Sequence, residues 1–380
     1  VFGVLMILTA IGIFFNVDRS FKSYILDKFP QYGTGLTSFE DNQAVKNQID
    51  KLFQKDVQKE DMGRPMNEIQ DFGNAPELIE GGEWFNSEPL RISSLRGKVV
   101  LIDFWTYTCI NCIRTIPHLN AWHEKYADKG LVIIGVHTPE FEFEKNPDNV
   151  KEAIANFKIK YPVIQDNDFA TWSAYNNRYW PAKYMIDSKG VIRYTHFGEG
   201  EYEETEQMIQ VLLKETGKDV NLKLESMPDQ TPQARLTPEI YLGSSRMEFY
   251  YPSGNLPNGM RDLKLNEDIA ENTFSLGGKW NINEEYSKSI DDGVLKSNFY
   301  ADKVFLVLRP EAAGKNAKVR VFLDGKAVDS TNAGKDVKNG EVTVTVDKLY
   351  NLIDLKGKTG RHILELKFQN GISAFAFTFG

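Results

Sequence analysis

The chain has 380 residues, 41% of them hydrophobic and 26% charged; this length suits two domains with a linker, and this composition excludes chain-wide disorder and fibrous repeats. Its 45 basic and 53 acidic residues give a net charge of -8, which leaves no basic surplus to neutralise phosphates and excludes general nucleic-acid binding. Only two cysteines are present, three positions apart, which excludes a disulfide-stapled fold and a cysteine-rich zinc site.

The first residues are strongly apolar. Residues 1–15 read VFGVLMILTAIGIFF and carry no charge, but a helix of that length spans about 22 Å against about 30 Å of hydrocarbon. A signal-peptide core is one interpretation, although a basic segment before it and a small-residue cleavage site after it are both missing. The interpretation favoured here is the end of a transmembrane helix over residues 1–17, followed by a partly helical spacer over 18–73.

Residues 74–218 alternate strand and helix signals. Continuous apolar runs predict buried strands at Val99–Trp105 and Leu131–Val136, with a helix between them that closes at Gly130. Further helices are predicted from Pro147 and over residues 201–216, and a hairpin is predicted around residues 188–190. This order predicts a small α/β domain.

The chemistry concentrates at Cys109-Ile110-Asn111-Cys112, directly after the first strand and at the start of a helix. Free N–H groups and the helix dipole at that position stabilise a thiolate, so Cys109 is the expected nucleophile. Cys112 lies one turn later, close enough to form a disulfide. Two structural cysteines and half of a metal site with His118 or His123 are the alternatives. A redox-active pair with no other cofactor and no metal is the prediction.

Asp103 stands in the middle of the apolar strand. A carboxylate there is costly unless it is used or paired. Desolvation is expected to raise the pKa of Asp103 toward a value suited to a general base. Pairing with a buried lysine or hydroxyl is the alternative.

The segment Ile102-Asp103-Phe104-Trp105 with Cys109 and Cys112 resembles the active site of thioredoxins. The resemblance implies that Asp103 exchanges a proton with Cys112 and that Pro117 kinks the helix. It also implies that Pro181 is the cis-proline facing the cysteines, with Trp180 and Trp105 lining a substrate groove. A trans proline that ends a loop is the alternative for Pro181.

Three departures from ordinary thioredoxins are visible: the Ile-Asn dipeptide between the cysteines, Thr108 before the first cysteine, and an extra segment over Gly82–Lys98 that is interpreted as an added hairpin. With this segment the chain resembles membrane-tethered extracytoplasmic thioredoxins of the TlpA/ResA kind. Relatives of that kind often keep an acidic residue near the site, which makes Glu140 a candidate modulator beside the substrate groove. One charge in a solvated loop is the alternative for Glu140.

Three prolines among polar residues mark a linker over residues 219–240. Beyond it, over residues 241–380, short alternating strands predict an all-β sandwich of the jelly-roll or carbohydrate-binding-module kind. Trp280, Tyr286 and Tyr300 are aromatic candidates for a glycan platform, but no spacing identifies one, and a place in the core is favoured for them.

The whole chain resembles the C-terminal half of DipZ-type cytochrome c biogenesis proteins, on its apolar start, the segment DFWTYTCINCIRTIPHL and the tail YLGSSR to AFAFTFG. That family fuses a DsbD/CcdA-like membrane domain to a thioredoxin-like domain and a carbohydrate-binding-module-like sandwich. The resemblance implies a location on the outer face of a bacterial cytoplasmic membrane. It also implies a membrane electron donor in the same polypeptide and oxidised proteins as substrates. A thiol oxidase or isomerase, and a glycan- or protein-binding module with an accessory redox domain, are the alternatives.

Overall fold

Two β-sheets organise the part of the chain that the structure describes. This computed structural model describes residues 70–312 and 314–380. The predicted transmembrane end over residues 1–17 and nearly all of the predicted spacer over 18–73 lie outside the described residues. Within the described ranges, no helix is both long enough and apolar enough to cross a membrane.

The first sheet has six strands in the order β1-β4-β3-β2-β5-β6. Strands β2, β3 and β4 run parallel, whereas β1, β5 and β6 pair antiparallel with their neighbours. The strands are β1 (Trp84–Phe85), β2 (Val99–Trp105), β3 (Leu131–His137), β4 (Val163–Gln165), β5 (Ala182–Ile186) and β6 (Ile192–Phe197). The helices are α1 (Ile110–Tyr126), α2 (Pro147–Asn156), α3 (Ala170–Ala174) and α4 (Tyr202–Glu215), with short 3-10 helices at Ile92–Leu95, Ala127–Lys129 and Glu142–Lys145. This arrangement confirms the predicted α/β domain.

The added hairpin predicted over Gly82–Lys98 is wrong. Residues Trp84 and Phe85 pair with Ile164 and Val163 of β4, and not with a second strand of the same segment. The rest of the segment turns through the 3-10 helix Ile92–Leu95. The carboxylate of Glu77 accepts hydrogen bonds from the backbone N–H groups at the start of that helix, at 2.8 Å each, which satisfies donors that a hairpin would have paired.

Strand β2 is buried along its whole length, as its apolar run predicts. Its alternate residues Val100, Ile102 and Phe104 belong to one hydrophobic core cluster. Because successive side chains of a strand point to opposite faces, Asp103 and Trp105 lie on the other face. The central strand therefore leads, on that face, from Asp103 toward the two cysteines.

Every regular element in the described residues of the second domain is a β-strand, which confirms the predicted all-β class. Its twelve strands are hydrogen-bonded into one continuous sheet. The 15-residue strand β10 makes this possible, because it pairs with β9, β17 and β18. The strands are β7 (Ile240–Tyr241), β8 (Gly259–Leu263), β9 (Thr273–Ile282), β10 (Ser287–Ala301), β11 (Lys303–Arg309), β12 (Ala317–Leu323), β13 (Lys326–Ala327), β14 (Val337–Lys338), β15 (Glu341–Val344), β16 (Lys348–Asp354), β17 (Gly360–Phe368) and β18 (Ser373–Phe379).

The two domains touch through aromatic side chains. Phe375 of β18 is fully buried, and its ring centroid lies 5.1 Å from that of Phe141 and 5.0 Å from that of Phe143. Phe141 and Phe143 follow β3, so the second domain packs on the loop that leaves the redox domain's central sheet. Aromatic pairs in this geometry add to the free energy of burial. The second domain is thus held beside the carboxyl ends of β2 and β3.

Candidate active site

Cys109 is the N-cap residue of α1. Its backbone is extended, with φ -79° and ψ 114°, and its Sγ accepts a hydrogen bond from the backbone N–H of Cys112 at 3.2 Å. Both thiols are free; Cys109 is half-buried, whereas Cys112 is 1% exposed. The predicted placement at a helix start is therefore confirmed. Cys109 is thus the more accessible of the two cysteines, and Cys112 lies one turn further along, inside the domain.

The electrostatics of Cys109 differ from the sequence expectation. Burial raises the pKa of Cys109, and the charges of Glu239 and Glu140 act in the same direction, whereas hydrogen bonds from Cys112 act against it. The helix start alone favours the thiolate, but here desolvation and two carboxylates outweigh it. Burial, with the nearby Cys109, raises the pKa of Cys112 even further, well above that of a free thiol.

Asp103 is 1% exposed, and its Oδ1 has no hydrogen-bond partner within the described ranges. Burial raises the pKa of Asp103 to about 7, against the opposing charge of Lys183. Lys183 sits directly across from Asp103 in the β2–β5 register and is fully buried. Burial lowers the pKa of Lys183 in turn. The buried lysine considered as an alternative is thus present, and the carboxyl still titrates near neutrality as expected of a base.

A second buried carboxyl, Glu144, was missed from the sequence, where it is one charge among several in FEFEK. Its Oε1 accepts a hydrogen bond from Thr108 Oγ1 at 2.6 Å. Its Oε2 accepts the backbone N–H groups of Glu140 and Phe141 at 2.6 and 3.0 Å. Burial raises the pKa of Glu144 to about 7. This side chain ties the residue before Cys109 to the loop after β3.

Pro181 follows a cis peptide bond from Trp180, which confirms the predicted conformation. Phe104 of β2 pairs with Ala182 of β5, so Pro181 lies beside the end of β2 that leads to Cys109. The indole N–H of Trp180 donates to the carbonyl oxygen of Thr138 at 3.1 Å. The fold therefore brings the cis-proline and the cysteine segment to the same edge of the sheet.

The prediction that Trp105 lines a substrate groove is wrong. Trp105 is 0% exposed, and its ring packs edge-on against that of His137 at 5.0 Å. A side chain on a strand buried on both faces has no access to solvent. The exposed aromatic side chains beside the cis-proline are Tyr179 and Phe197, which are 55% and 48% exposed and whose ring centroids lie 5.5 Å apart.

Glu140 lies in contact with the second domain and not in a solvated loop. Its side chain is 14% exposed and pairs with Arg246 at 2.9 Å. The Tyr241 hydroxyl lies 2.8 Å from Glu140 Oε1 and 2.8 Å from Glu239 Oε2. Although Glu239 is exposed to solvent on part of its surface, the nearby protein and the Glu140 charge raise its pKa. Three of these four residues come from the second domain, and sequence reasoning named only Glu140.

A cavity of about 500 Å³ opens beside the cysteine segment, between α1 and the second domain. The first domain contributes Ile110, Ile113 and Arg114 to its wall, and the second contributes Lys303 and Phe305. Arg114 makes a bidentate pair with Glu199 at 2.7 Å and also donates to Asn111 Oδ1 at 2.9 Å. The dipeptide between the cysteines is thereby anchored at the cavity's rim.

Of the three aromatic candidates for a glycan platform, Trp280 lies in the core of the second domain, as favoured. Trp280 is 0% exposed, and its indole N–H donates to Gly277 O at 2.8 Å. Tyr286 packs on Phe375, and the guanidinium of Arg361 covers the ring of Tyr300.

The histidines considered for a metal site have other surroundings. The ring of His118 stacks on that of Tyr202 at 3.5 Å. Within residues 70–312 and 314–380, no group of three or more His, Cys, Asp or Glu side chains is placed to hold a metal ion.

Comparison with known proteins is consistent with this geometry. The AhpC/TSA family model matches residues 74–195, and a thioredoxin-like C-terminal domain model matches residues 237–380. Protein DipZ of Mycobacterium tuberculosis is 34% identical over the whole chain, which spans 53% of that relative's length. Thiol-disulfide oxidoreductase YkuV of Bacillus subtilis is 33% identical over 37% of this chain and 95% of its own. Thiol-disulfide oxidoreductase ResA of Bacillus cereus is 28% identical over 32% of this chain and 67% of its own.

Proposed function

The chain belongs to the thioredoxin-like thiol-disulfide oxidoreductases, and we propose that within this family it is a reductase of protein disulfides on the outer face of a bacterial cytoplasmic membrane. The observation that carries the proposal is the pair Cys109–Cys112, with the partly exposed Cys109 at the start of α1 and the buried Cys112 one turn behind it near Asp103.

In the proposed reaction, the Cys109 thiolate attacks one sulfur of a substrate disulfide. The substrate S–S bond breaks, a Cys109–substrate disulfide forms, and the leaving substrate sulfur takes up a proton. Cys112 then gives up its proton with the help of Asp103 and attacks Cys109 Sγ. The Cys109–substrate disulfide breaks, and the second substrate sulfur leaves and takes up a proton. The protein ends with a Cys109–Cys112 disulfide, and the substrate ends with two thiols. Two electrons have passed from the cysteine pair to the substrate.

The surroundings of Cys109 favour the reductant over the oxidant. Strong oxidants of this chemistry stabilise their reduced form, because an unusually acidic thiol ionises to a stable thiolate. Burial and two carboxylates do the reverse here and raise the pKa of Cys109. The reduced pair gains little from ionisation at neutral pH, so it parts with its electrons more readily.

We place the source of those electrons in a DsbD/CcdA-like membrane domain, in the same polypeptide. The chain spans about half the length of the DipZ proteins that it matches, which leaves room in such proteins for a further domain. The apolar residues 1–15 support the same proposal. We assign two surfaces to the binding of oxidised protein substrates. They are the cavity between α1 and the second domain, which Ile110 lines, and the exposed aromatic pair Tyr179 and Phe197.

The reduction potential of the cysteine pair, measured by equilibration in thiol buffers, tests the direction of transfer. A value near or below about -250 mV is expected of a reductant. A value near about -120 mV, that of a strong oxidant, would overturn the reductase proposal and favour the oxidase alternative.

Single cysteine variants test the roles of the two sulfurs. Cys109→Ser should abolish the reduction of a disulfide substrate such as insulin. Cys112→Ser should instead accumulate mixed disulfides that resolve on a non-reducing gel. An absence of trapped species, with the variant folded, would contradict the assignment of Cys109 as nucleophile and Cys112 as resolving thiol.

A further inference from the structure

Two carboxyl groups meet at one hydroxyl where the loop after β3 contacts the second domain, and the Glu144 side chain links that loop to Thr108, the residue before Cys109. The Tyr241 oxygen lies 2.8 Å from Glu140 Oε1 and 2.8 Å from Glu239 Oε2. A phenol has one hydrogen and can donate to only one of the two oxygens. The second contact is a hydrogen bond only if that carboxyl itself carries a proton and donates to the phenol oxygen. Glu140 and Glu239, called the carboxyl pair below, are therefore arranged to hold one proton between them.

The position of the proton follows from the third partner. Arg246 donates to Glu140 Oε1 at 2.9 Å, and its guanidinium lies 3.7 Å from the centre of the Tyr241 ring. A guanidinium hydrogen bond is strongest when its acceptor is a charged carboxylate. Within the described ranges Arg246 forms a salt bridge with Glu140 and none with Glu239, although its charge also acts on Glu239 from farther away. The proton of the pair is therefore placed on Glu239.

The two members come from different domains. Glu140 lies in the loop after β3, whereas Glu239 directly precedes β7, Tyr241 is the last residue of β7, and Arg246 follows it. We propose that the second domain completes the redox site, because the carboxyl pair controls the ionisation of Cys109. The inference rests on the proposed function only in taking Cys109 as the attacking sulfur.

The carboxyl pair has two protonation states, and they affect the Cys109 thiolate differently. With one proton on the carboxyl pair, a single negative charge remains and Arg246 balances it. Without the proton, two negative charges face one positive charge, and a new negative charge on Cys109 is opposed. The negative charges of both glutamates raise the pKa of Cys109, which agrees with this arrangement. The other charged or titratable groups facing the pair are Tyr241, Arg246 and, through the backbone of Glu140, Glu144.

Glu239→Gln tests the inference, because the amide mimics the protonated carboxyl. The measurement is the rate of Cys109 alkylation by iodoacetamide from pH 5 to pH 10, in a Cys112→Ser background where Cys109 is the one remaining cysteine of the sequence. The variant should lower the apparent pKa of Cys109 and speed alkylation at pH 7 about threefold to tenfold, the effect of about half to one pKa unit. Glu140→Gln should shift the profile in the same direction.

Glu341→Gln is the matched control, since it removes the same charge from a second-domain glutamate that pairs with Lys318 instead. Its profile should coincide with that of the parent. An unchanged profile in Glu239→Gln and Glu140→Gln, or a shift to higher pH, would overturn the inference. Glu239 is solvent-exposed, so the amide is expected to fold, and urea unfolding checks this.

The alkylation assay needs no disulfide substrate, so the two proposals can fail separately. If the profile shifts as expected but the protein reduces no disulfide, the inference stands and the reductase proposal fails. If the protein reduces disulfides and the profile does not shift, the reductase proposal stands and the control of Cys109 by the second domain fails.

Discussion

Asp103→Asn should change how the stability of the protein depends on pH. In the unfolded chain this carboxyl titrates near 3.8, whereas burial raises its pKa in the folded protein to about 7. Between these values the folded state keeps a proton that the unfolded state has lost. The free energy of unfolding of the wild type should therefore fall by about 1.4 kcal/mol for each pH unit in this window. Over about three units the loss reaches about 4 kcal/mol.

An amide cannot ionise, so the variant lacks this contribution. Urea unfolding between pH 4 and pH 9, with both thiols kept reduced, measures the two curves. Relative to the wild type, the variant should gain up to about 4 kcal/mol between pH 4 and pH 8. Lys183 is buried in both proteins, but the Asp103 charge favours its protonated form, so this difference reports the coupled Asp103–Lys183 pair and not Asp103 alone.

Asp187 provides a control of opposite sign. It is almost as buried, but hydrogen bonds from Val191 N–H and Arg193 outweigh burial and lower its pKa. Its contribution to stability is present above the unfolded pKa and is lost in acid, so Asp187→Asn should lose stability above pH 4. Parallel curves for the wild type and Asp103→Asn would refute the reasoning, because they would mean that Asp103 stays ionised throughout, paired with Lys183.

Two further substitutions test contacts that hold the site together. Thr108→Val removes the hydroxyl that donates to the buried Glu144 carboxyl at 2.6 Å, and urea unfolding should show a free energy of unfolding lower by about 1 to 3 kcal/mol. Thr108→Ser keeps the hydroxyl and should unfold with nearly the wild-type free energy. Equal losses in both variants would mean that packing, and not the hydrogen bond, is responsible. Phe375→Ala empties a fully buried position between two aromatic rings of the first domain and should cost about 3 to 5 kcal/mol in unfolding free energy, whereas an unchanged value would mean that the domains are held by other contacts.

Much of the redox domain could be predicted because its signals are local. The run at Val99–Trp105 is apolar at every position except Asp103, so it predicts a buried strand and a buried carboxyl that is either paired or used in the reaction. The cysteine spacing and the helix start lie within a few residues of each other. The cis-proline could be placed because it directly precedes the hairpin strand Ala182–Ile186.

The predictions that failed depend on partners distant in sequence. Trp105 is predicted to line the substrate groove, but β2 is covered on both faces and the Trp105 ring is therefore inaccessible to solvent. The extra segment after Gly82 pairs with β4, about 80 positions away, and not with itself. The shift of the Cys109 pKa has the opposite sign to that expected from the helix start, because burial raises this pKa and the charge of Glu239, from the second domain, adds to the effect. A local sequence pattern does not predict contacts between residues that are far apart in the chain.

The place of β18 in the second sheet has a consequence for biosynthesis. This strand follows every other strand of its domain in the sequence, yet it lies between β10 and β11 and also pairs with β7. During translation, residues 373–379 must leave the ribosome before β18 can connect β10 to β11 in the sheet of the second domain, since pairing between strands this distant in sequence forms late. The redox domain has all six of its strands by Phe197 and can fold first. In a nascent chain the cysteine pair would thus be folded before Glu239 and Tyr241 have packed against the first domain. An oxidant present at that stage could react with Cys109 without the influence of the second domain.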